Sequence, residues 1–93
     1  MRTREEIMAT IGRYKHAEWL NESAEVERYK GGSVLVYHGS TLAILPLGRE
    51  VVHLAEGWDS SAPKRVCVKY FLATYQLDLG GMQRTGKVEM FEG

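Results

Sequence analysis

The sequence contains one cysteine, Cys67, only two prolines, and no long apolar run. A single cysteine cannot form an intramolecular disulfide or a cysteine-based zinc cluster. None of the apolar stretches approaches the roughly 20 residues that a membrane-spanning helix needs. The N-terminal stretch MRTREEIMAT is charged from its second residue and lacks the apolar segment of a signal peptide. We therefore expect a cytoplasmic protein with no membrane partner.

The chain has no excess of either charge. It carries 12 basic and 12 acidic side chains, and they divide evenly, with six of each sign in residues 1–30 and six of each in residues 31–93. A protein that binds duplex DNA by neutralising phosphates usually has a basic excess. A protein that imitates DNA needs an acidic excess, which is also missing. The charge balance therefore disfavours nucleic acid as the main partner and leaves room only for a local basic patch.

No catalytic or metal-binding motif stands out in the sequence. Cys67 lies inside an apolar run, where a cysteine is usually a small buried side chain. The histidines, His16, His38 and His53, lack the i, i+4 spacing that aims two imidazoles at one metal ion. A P-loop and a dinucleotide-binding fingerprint are also missing. These absences predict a non-enzymatic protein that needs no cofactor and holds no metal.

The N-terminal region carries a helix start. Thr3 followed by Glu6 matches a capping box. Apolar side chains then share one face of a helical wheel, and they are Ile7, Met8, Ile11 and Tyr14. This pattern predicts a helix from Arg4 to about Leu20. The stretch SAEVERYK after it fits either a short helical turn or an edge strand, because its apolar residues follow neither period.

Three strands are predicted in the middle of the chain. Residues 34–37 and 42–45 are rich in strand formers and flank the turn His38-Gly39-Ser40-Thr41, which is typical of a hairpin. The stretch EVVHLA supplies the third strand. His53 alternates there with apolar neighbours, so we predict that its side chain points away from the core.

The C-terminal third is predicted to hold a helix and a hairpin. The run RVCVKYFLATYQL fits a long strand or a helix, and the preceding serines and Pro63 favour a helix from about Ala62 to Tyr75. QLDLGGMQ and KVEMFE then pair around Arg84-Thr85-Gly86. The predicted fold is α+β in a single domain, residues 1–93. It has an N-terminal helix, a three-stranded antiparallel segment, a second helix, and a C-terminal β-hairpin that completes one sheet, with the helices on one face.

The stretch GWDSSAPKR, residues 57–65, has two interpretations. The first turn of a helix beginning near Ala62 presents free N–H groups, and Ser60, Ser61, Lys64 and Arg65 would add hydroxyls and charge for a phosphate or nucleotide. The alternative is an ordinary helix start, capped by a serine and preorganised by proline. The carboxylate of Asp59 would compete with an external anion, which favours the second interpretation.

The aromatic residues are numerous for a core of this size. Trp, Tyr and Arg dominate the hot spots of protein interfaces. We therefore predict an aromatic and basic surface that binds a protein partner, formed by Tyr37, Trp58, Lys64, Arg65 and Lys69.

From about residue 34 to residue 93 the chain resembles a group of short uncharacterised bacteriophage and prophage proteins. The resemblance is carried by Tyr37-His38-Gly39, Gly57-Trp58, Ser60, Lys64 and Phe91-Glu92-Gly93, which match a pattern of His-Gly, Gly-Trp-x-Ser/Thr and a final Phe-acid-Gly. The chain departs from the pattern at Ala62, Pro63, Val66 and Val68. The resemblance implies a phage origin and a strand–helix–hairpin order, and it transfers no functional residue.

Three functions follow as hypotheses. The leading one is a phage accessory protein that binds and inhibits a host defence protein by steric occlusion, with an anti-CRISPR protein bound to a Cas protein as the most concrete case. The first alternative is a small-ligand protein that binds a nucleotide or phosphate through Ser60, Ser61, Lys64 and Arg65. A second alternative is a nucleic-acid-binding regulator that uses Lys64, Arg65 and Lys69. A homodimer is also compatible with the sequence.

Overall fold

The structure, a computed structural model, describes residues 1–92. Gly93, the last residue of the Phe-acid-Gly pattern, lies outside them. The elements in chain order are α1 (Arg4–Met8), β1 (Tyr14–Trp19), β2 (Ala24–Tyr29), β3 (Gly32–Tyr37), β4 (Ser40–Pro46), β5 (Val52–Ala55), α2 (Ala62–Ala73), α3 (Leu79–Arg84) and β6 (Val88–Phe91).

The described strands form one six-stranded mixed sheet in the order β1-β2-β3-β4-β5-β6. Strands β1 to β5 pair antiparallel, and β6 pairs with β5 in parallel. The helices α2 and α3 form the crossover that a parallel pair requires. The fold is α+β, but the predicted arrangement of a three-stranded segment completed by a C-terminal hairpin is wrong. The three strands exist as β3, β4 and β5, in the middle of a larger sheet.

The predicted N-terminal helix is much shorter than expected. Its capping box is confirmed, because the Thr3 hydroxyl accepts from the Glu6 N–H at 3.3 Å and the Glu6 carboxylate accepts from the Thr3 N–H at 2.9 Å. Hydrogen bonding of the Glu6 carboxylate to Thr3, first to its backbone N–H and then to its side chain, lowers the pKa of Glu6. The helix ends at Met8, and the chain turns at Gly12 with φ of 84°. Residues 14–19 then form β1 because pairing with β2 outweighs their local helical pattern.

The stretch SAEVERYK forms β2, which settles the choice between a helical turn and a strand. Ala24 and Val26 are buried in the core, while Glu25 and residues 27–29 are only partly covered. The strand pairs with β1 on one side and β3 on the other, so it is not an edge strand.

The second helix is confirmed, and the choice of helix over a long strand is correct. Ser61 caps α2 by accepting from the N–H of Lys64 at 3.4 Å, and Pro63 lies in the first turn. The helix ends at Ala73, slightly before the predicted end at Tyr75.

The predicted closing hairpin does not form. Residues 79–84 are the helix α3, which Asp78 caps by accepting from the N–H of Gly81 at 2.8 Å. Leu79 and Met82 lie on one face of this helix and are buried. Strand β6 therefore reaches the sheet after a helical crossover and lies parallel to β5.

The core has two layers, one on each face of the sheet. On the α2 face, the helices α2 and α3 pack on β2 to β5 through Phe71, Leu72 and Val68 among others. On the α1 face, Ile7 and Ile11 pack on Val34, Ile44 and Phe91. The prediction that both helices share one face is wrong, since the apolar side chains of the short α1 cover the opposite side.

The two edges of the sheet differ. Beyond β6, Thr3 forms a parallel bridge with Glu92, supported by backbone bonds of 3.2 Å from Arg4 to Glu92 and from Glu92 to Arg2. The N-terminal segment therefore pairs with the residue that follows β6. Strand β1 is the other edge, and none of its side chains is buried.

Candidate functional site

A cleft of about 670 Å³ opens where β5 runs into α2 and where α1 meets the β3–β4 turn. It lies beyond the carboxyl ends of the parallel strands β5 and β6, a position where ligands commonly bind in sheets with parallel strands. The residues that line it are Arg4, Tyr37, Gly39, Ser40, Thr41, Leu42, Ala55, Glu56, Lys64 and Glu92.

The charges in this cleft balance. Lys64 enters from the first turn of α2, and its ammonium donates to the hydroxyl of Ser60 at 3.4 Å. Arg4 enters from α1, and its Nε donates to the hydroxyl of Thr41 at 2.6 Å. Glu56 and Glu92 follow β5 and β6 and line the same space. A bound anion would gain from the two cations and would be repelled by the two carboxylates.

The four residues of the predicted anion site are only partly brought together. Ser60 and Lys64 contact each other, and the Ser61 hydroxyl is occupied by the Lys64 N–H. The guanidinium of Arg65 donates to the carbonyl of Asp59 at 2.8 Å and lines a different groove. The neighbouring bases Lys64 and Arg65 therefore serve separate surfaces.

The exposed surface of α2 carries two parallel rows of side chains. Arg65 and Lys69 form one row at i, i+4 spacing, and Val66 and Tyr70 form the next. Val66 is 61% exposed and Tyr70 is 52% exposed, which is high for apolar side chains in a helix that also packs on a core. We call these four residues the outer face of α2.

Two adjacent grooves lie along the outer face of α2, and both reach Leu79 of α3. One, of about 530 Å³, includes Trp58, Asp59, Arg65, Lys69 and Gln83 in its lining. The other, of about 460 Å³, is mostly apolar; its lining includes Val66, Tyr70, Ala73, Leu77 and Leu79. Apolar surface is therefore continuous from the exposed helix into both grooves.

The five residues of the predicted partner surface fall into two sets. Trp58, Arg65 and Lys69 line the first groove beside α2, whereas Tyr37 and Lys64 line the charged cleft. Trp58 is only 7% exposed and packs with the core of the α2 face, so it forms the wall of its groove and does not project.

His53 is buried, and the prediction that it points away from the core is wrong. Its side chain lies on the α1 face, and its Nδ1 has no hydrogen-bond partner among the described residues. The nearest charge is the carboxylate of Glu89, 3.7 Å from that nitrogen. Burial lowers the pKa of His53, Glu89 opposes this shift, and Arg2 adds to it. The side chains of β5 do alternate between the two faces of the sheet, but both faces are covered there, so His53 is buried as its neighbours are.

Cys67 lies against the core of the α2 face, and the side-chain amide of Asn21 donates to its sulfur at 3.5 Å. Within residues 1–92, no three His, Cys, Asp or Glu side chains converge as a metal site would require. None of the helices in that part of the chain has both the length and the apolar character needed to cross a membrane.

Sequence reasoning missed several residues of these surfaces. Val66 and Tyr70 are not part of the predicted partner surface, although their i, i+4 spacing parallel to Arg65 and Lys69 was a usable signal. Arg4 and Thr41 are far apart in the sequence, and no local pattern links them to the cleft.

The comparisons with known proteins gave no match to a protein-family model, to a curated protein or to a solved structure.

Proposed function

We propose that this chain is a non-enzymatic phage accessory protein that binds a host defence protein in the bacterial cytoplasm and inhibits it by steric occlusion. An anti-CRISPR protein that binds a Cas protein is the most concrete case. The phage setting rests on the resemblance of residues 34–93 to short phage proteins. The binding role rests on one structural observation, the outer face of α2.

The outer face of α2 has the composition of a protein-binding surface. Tyr and Arg are enriched at interface hot spots, and here Arg65 and Tyr70 belong to neighbouring rows of one helix surface. Residues 62–73 contain three bases and no acid, although the chain as a whole is neutral. The ion pairs formed by the described residues involve neither Arg65 nor Lys69. The complementary surface is therefore acidic around an apolar centre.

The guanidinium of Arg65 is already held in place before any partner arrives. It donates to the carbonyl of Asp59, a neutral acceptor that orients the group and leaves its charge uncompensated. Less side-chain entropy is then lost on binding. This arrangement favours Arg65 as one anchor and Tyr70 as the other.

The experiment combines capture with a biological readout. The tagged chain is used to capture proteins from an immune bacterial host, and phage survival on that host is measured with and without the chain. We expect a defence protein to co-purify and survival to rise, and the variant Lys69→Glu/Tyr70→Ala to lose both effects. Lys87→Glu, the same charge change on an exposed residue outside α2, serves as the control. Unchanged phage survival, with no defence protein captured, would reject the proposal.

A second candidate is a protein that binds a nucleotide or phosphate in the charged cleft. The observation in its favour is that Lys64 and Arg4 reach the same space from two helices. Calorimetry with nucleotides and with inorganic phosphate tests it. Binding lost in Lys64→Ala/Arg4→Ala but kept in Arg65→Ala would place the ligand in the cleft, because Arg65 lines a different groove.

The nucleic-acid alternative has a weaker structural basis. Arg65 and Lys69 form a row of only two bases on the outer face of α2, and Lys64 turns into the cleft. A DNA titration at several salt concentrations separates it from the others, because phosphate contacts give a steep salt dependence.

A further inference from the structure

Strand β1 is one edge of the sheet, and its outer side carries no bridge to any described residue. At the other edge, the N-terminal segment pairs with the residue after β6 through the Thr3–Glu92 bridge. In the part of the chain that the structure describes, β1 pairs with β2 on one side and with nothing on the other. Edge strands in soluble proteins are usually short, charged, bulged or covered, because free N–H and C=O groups recruit another strand.

The backbone groups that point away from β2 can be assigned. Leu20 donates to the carbonyl of Ala24 at 2.9 Å, and alternate residues of an antiparallel strand face its partner. Glu18 and His16 therefore face β2 as Leu20 does. The N–H and C=O groups of Ala17 and Trp19 point to the open side, and they are free to pair with another strand.

The side chains of β1 select one register for pairing with an identical strand. A register centred on Ala17 places His16 opposite Glu18 of the second copy, twice by symmetry. If the two-fold axis lay at Glu18, the two copies of Glu18 would face each other, and at His16 the two histidines would face each other. Both registers place like side chains opposite each other. The Ala17 register also places outward-pointing backbone groups opposite each other, as an antiparallel ladder requires.

We propose that β1 pairs antiparallel with β1 of a second copy of this chain, around a two-fold axis at Ala17. The two sheets then form one continuous sheet of twelve strands. The two copies of Ala17 exchange backbone hydrogen bonds across the axis. This surface is distinct from the outer face of α2, so the proposal does not depend on the proposed function.

The exposed aromatic side chains of β1 fit this arrangement. Trp19 is 69% exposed and Tyr14 is 52% exposed, and the pairing with β2 places both on the α1 face. Tyr14 stacks edge-on against Tyr29 with ring centres 5.5 Å apart. In the paired sheet, Trp19 of one copy lies towards Tyr14 of the other on the same face, which extends the aromatic row. The register irregularity leaves Lys15 without a partner in β2, between Tyr14 and His16, and so lies outside the stretch from His16 to Glu18 that sets the register.

Two substitutions at Ala17 test the backbone pairing. Ala17→Pro removes an N–H that points away from β2, so the β1–β2 ladder keeps its hydrogen bonds while the dimer loses the two central ones that the copies of Ala17 exchange. Ala17→Ser keeps the N–H and serves as the matched control. By sedimentation equilibrium from micromolar to millimolar concentration, we expect a dimer whose dissociation constant rises at least about tenfold in the proline variant and stays within about threefold in the serine variant.

A mixing experiment tests the register. In a dimer of the His16→Glu variant, the new glutamate at position 16 faces Glu18 of the other copy. In a dimer of the Glu18→Lys variant, the new lysine at position 18 faces His16. Each variant alone should therefore dimerise weakly. In the mixture, the glutamate introduced at position 16 of one variant meets the lysine introduced at position 18 of the other. The second pair remains His16 with Glu18, so dimerisation should recover. The Glu18→Lys variant lacks the Glu18–Arg28 ion pair both alone and in the mixture. Recovery of dimerisation on mixing therefore cannot be explained by a change in that ion pair.

Each result bears on the proposal. A concentration-dependent dimer that Ala17→Pro weakens and that mixing restores supports it. A chain that is monomeric at every concentration, a dimer that Ala17→Pro leaves intact, or variants that do not recover on mixing would each overturn it.

Discussion

The hydroxyl of Tyr75 donates to the hydroxyl oxygen of Ser33 at 2.7 Å, and this bond fastens the residues after α2 to strand β3. The same hydroxyl accepts from the guanidinium of Arg28 on β2. The guanidinium of Arg49 lies 4.9 Å from the centre of the Tyr75 ring. One side chain thus joins the helix end to two strands and holds a cation over its ring.

We expect Tyr75→Phe to lower the free energy of unfolding by about 1–3 kcal/mol, because it leaves the buried Ser33 hydroxyl without its donor. Ser33→Ala should restore part of that loss in the double variant, since the orphaned group is then removed. Urea unfolding of the four proteins measures the coupling. Strictly additive effects would show that the bond contributes nothing of its own.

Gly31 is required by a close approach of two backbone segments. A Cβ atom there would lie 2.5 Å from the carbonyl oxygen of Ile11, to which the Gly31 N–H already donates at 2.6 Å. We expect Gly31→Ala to lower the free energy of unfolding by about 1–3 kcal/mol or more, as overpacking does. Gly48→Ala is the control, because the nearest atom to its Cβ is 3.9 Å away. Equal thermal stabilities of the two variants would contradict this account.

His53 should make the protein less stable in acid. Its folded pKa lies below the ordinary 6.5 because of burial, so below pH 6.5 the unfolded chain binds this proton more readily than the folded one. The free energy of unfolding should therefore change little above pH 6.5 through this group and fall as the pH drops towards the folded pKa. His53→Gln should flatten this part of the pH profile. Denaturant titrations from neutral to acid pH give the comparison, and identical slopes in the wild type and His53→Gln would remove His53 as the cause.

Trp58 and Tyr70 should separate stability from partner binding. Trp58 is nearly buried among core residues, so Trp58→Ala should cost about 3–5 kcal/mol of unfolding free energy. Tyr70 is 52% exposed, so Tyr70→Ala should change stability by no more than about 0.5 kcal/mol while weakening partner capture. Thermal unfolding and capture from lysate are measured on the same preparations. A large loss of stability in Tyr70→Ala would show that Tyr70 stabilises the fold, and the loss of partner capture could then not be attributed to a binding contact.

The sequence predicts α2 because the residues before the apolar run favour a helix over a long strand. Ser61 and Pro63 are residues typical of a helix start, and the structure has them as the N-cap and in the first turn. The hairpin β3–β4 is predicted for a similar reason, since a glycine turn separates two runs of strand formers. In both cases a local signal and the final packing agree.

The sequence fails at β1 and α3 because packing decides those elements. No side chain of β1 is buried, so the alternation that marks a strand is missing, and the pairing with β2 determines its structure. In α3, Gly80 and Gly81 disfavour a helix, but the Asp78 cap and burial of Leu79 and Met82 offset that cost. The cleft lined by Arg4 and Lys64 could not be predicted from the sequence either, because these two residues come together only in the complete fold.

The apolar layer on the α1 face has a consequence for the order of folding. Its strands β3 and β4 are neighbours along the chain and close a short loop, but Ile7 and Ile11 meet Phe91 only when residues from opposite ends of the sequence come together. Loop-closure entropy makes such contacts late in folding. We expect a chain leaving the ribosome to form the β2–β3–β4 meander early and to hold its N-terminal helix undocked until strand β6 has emerged.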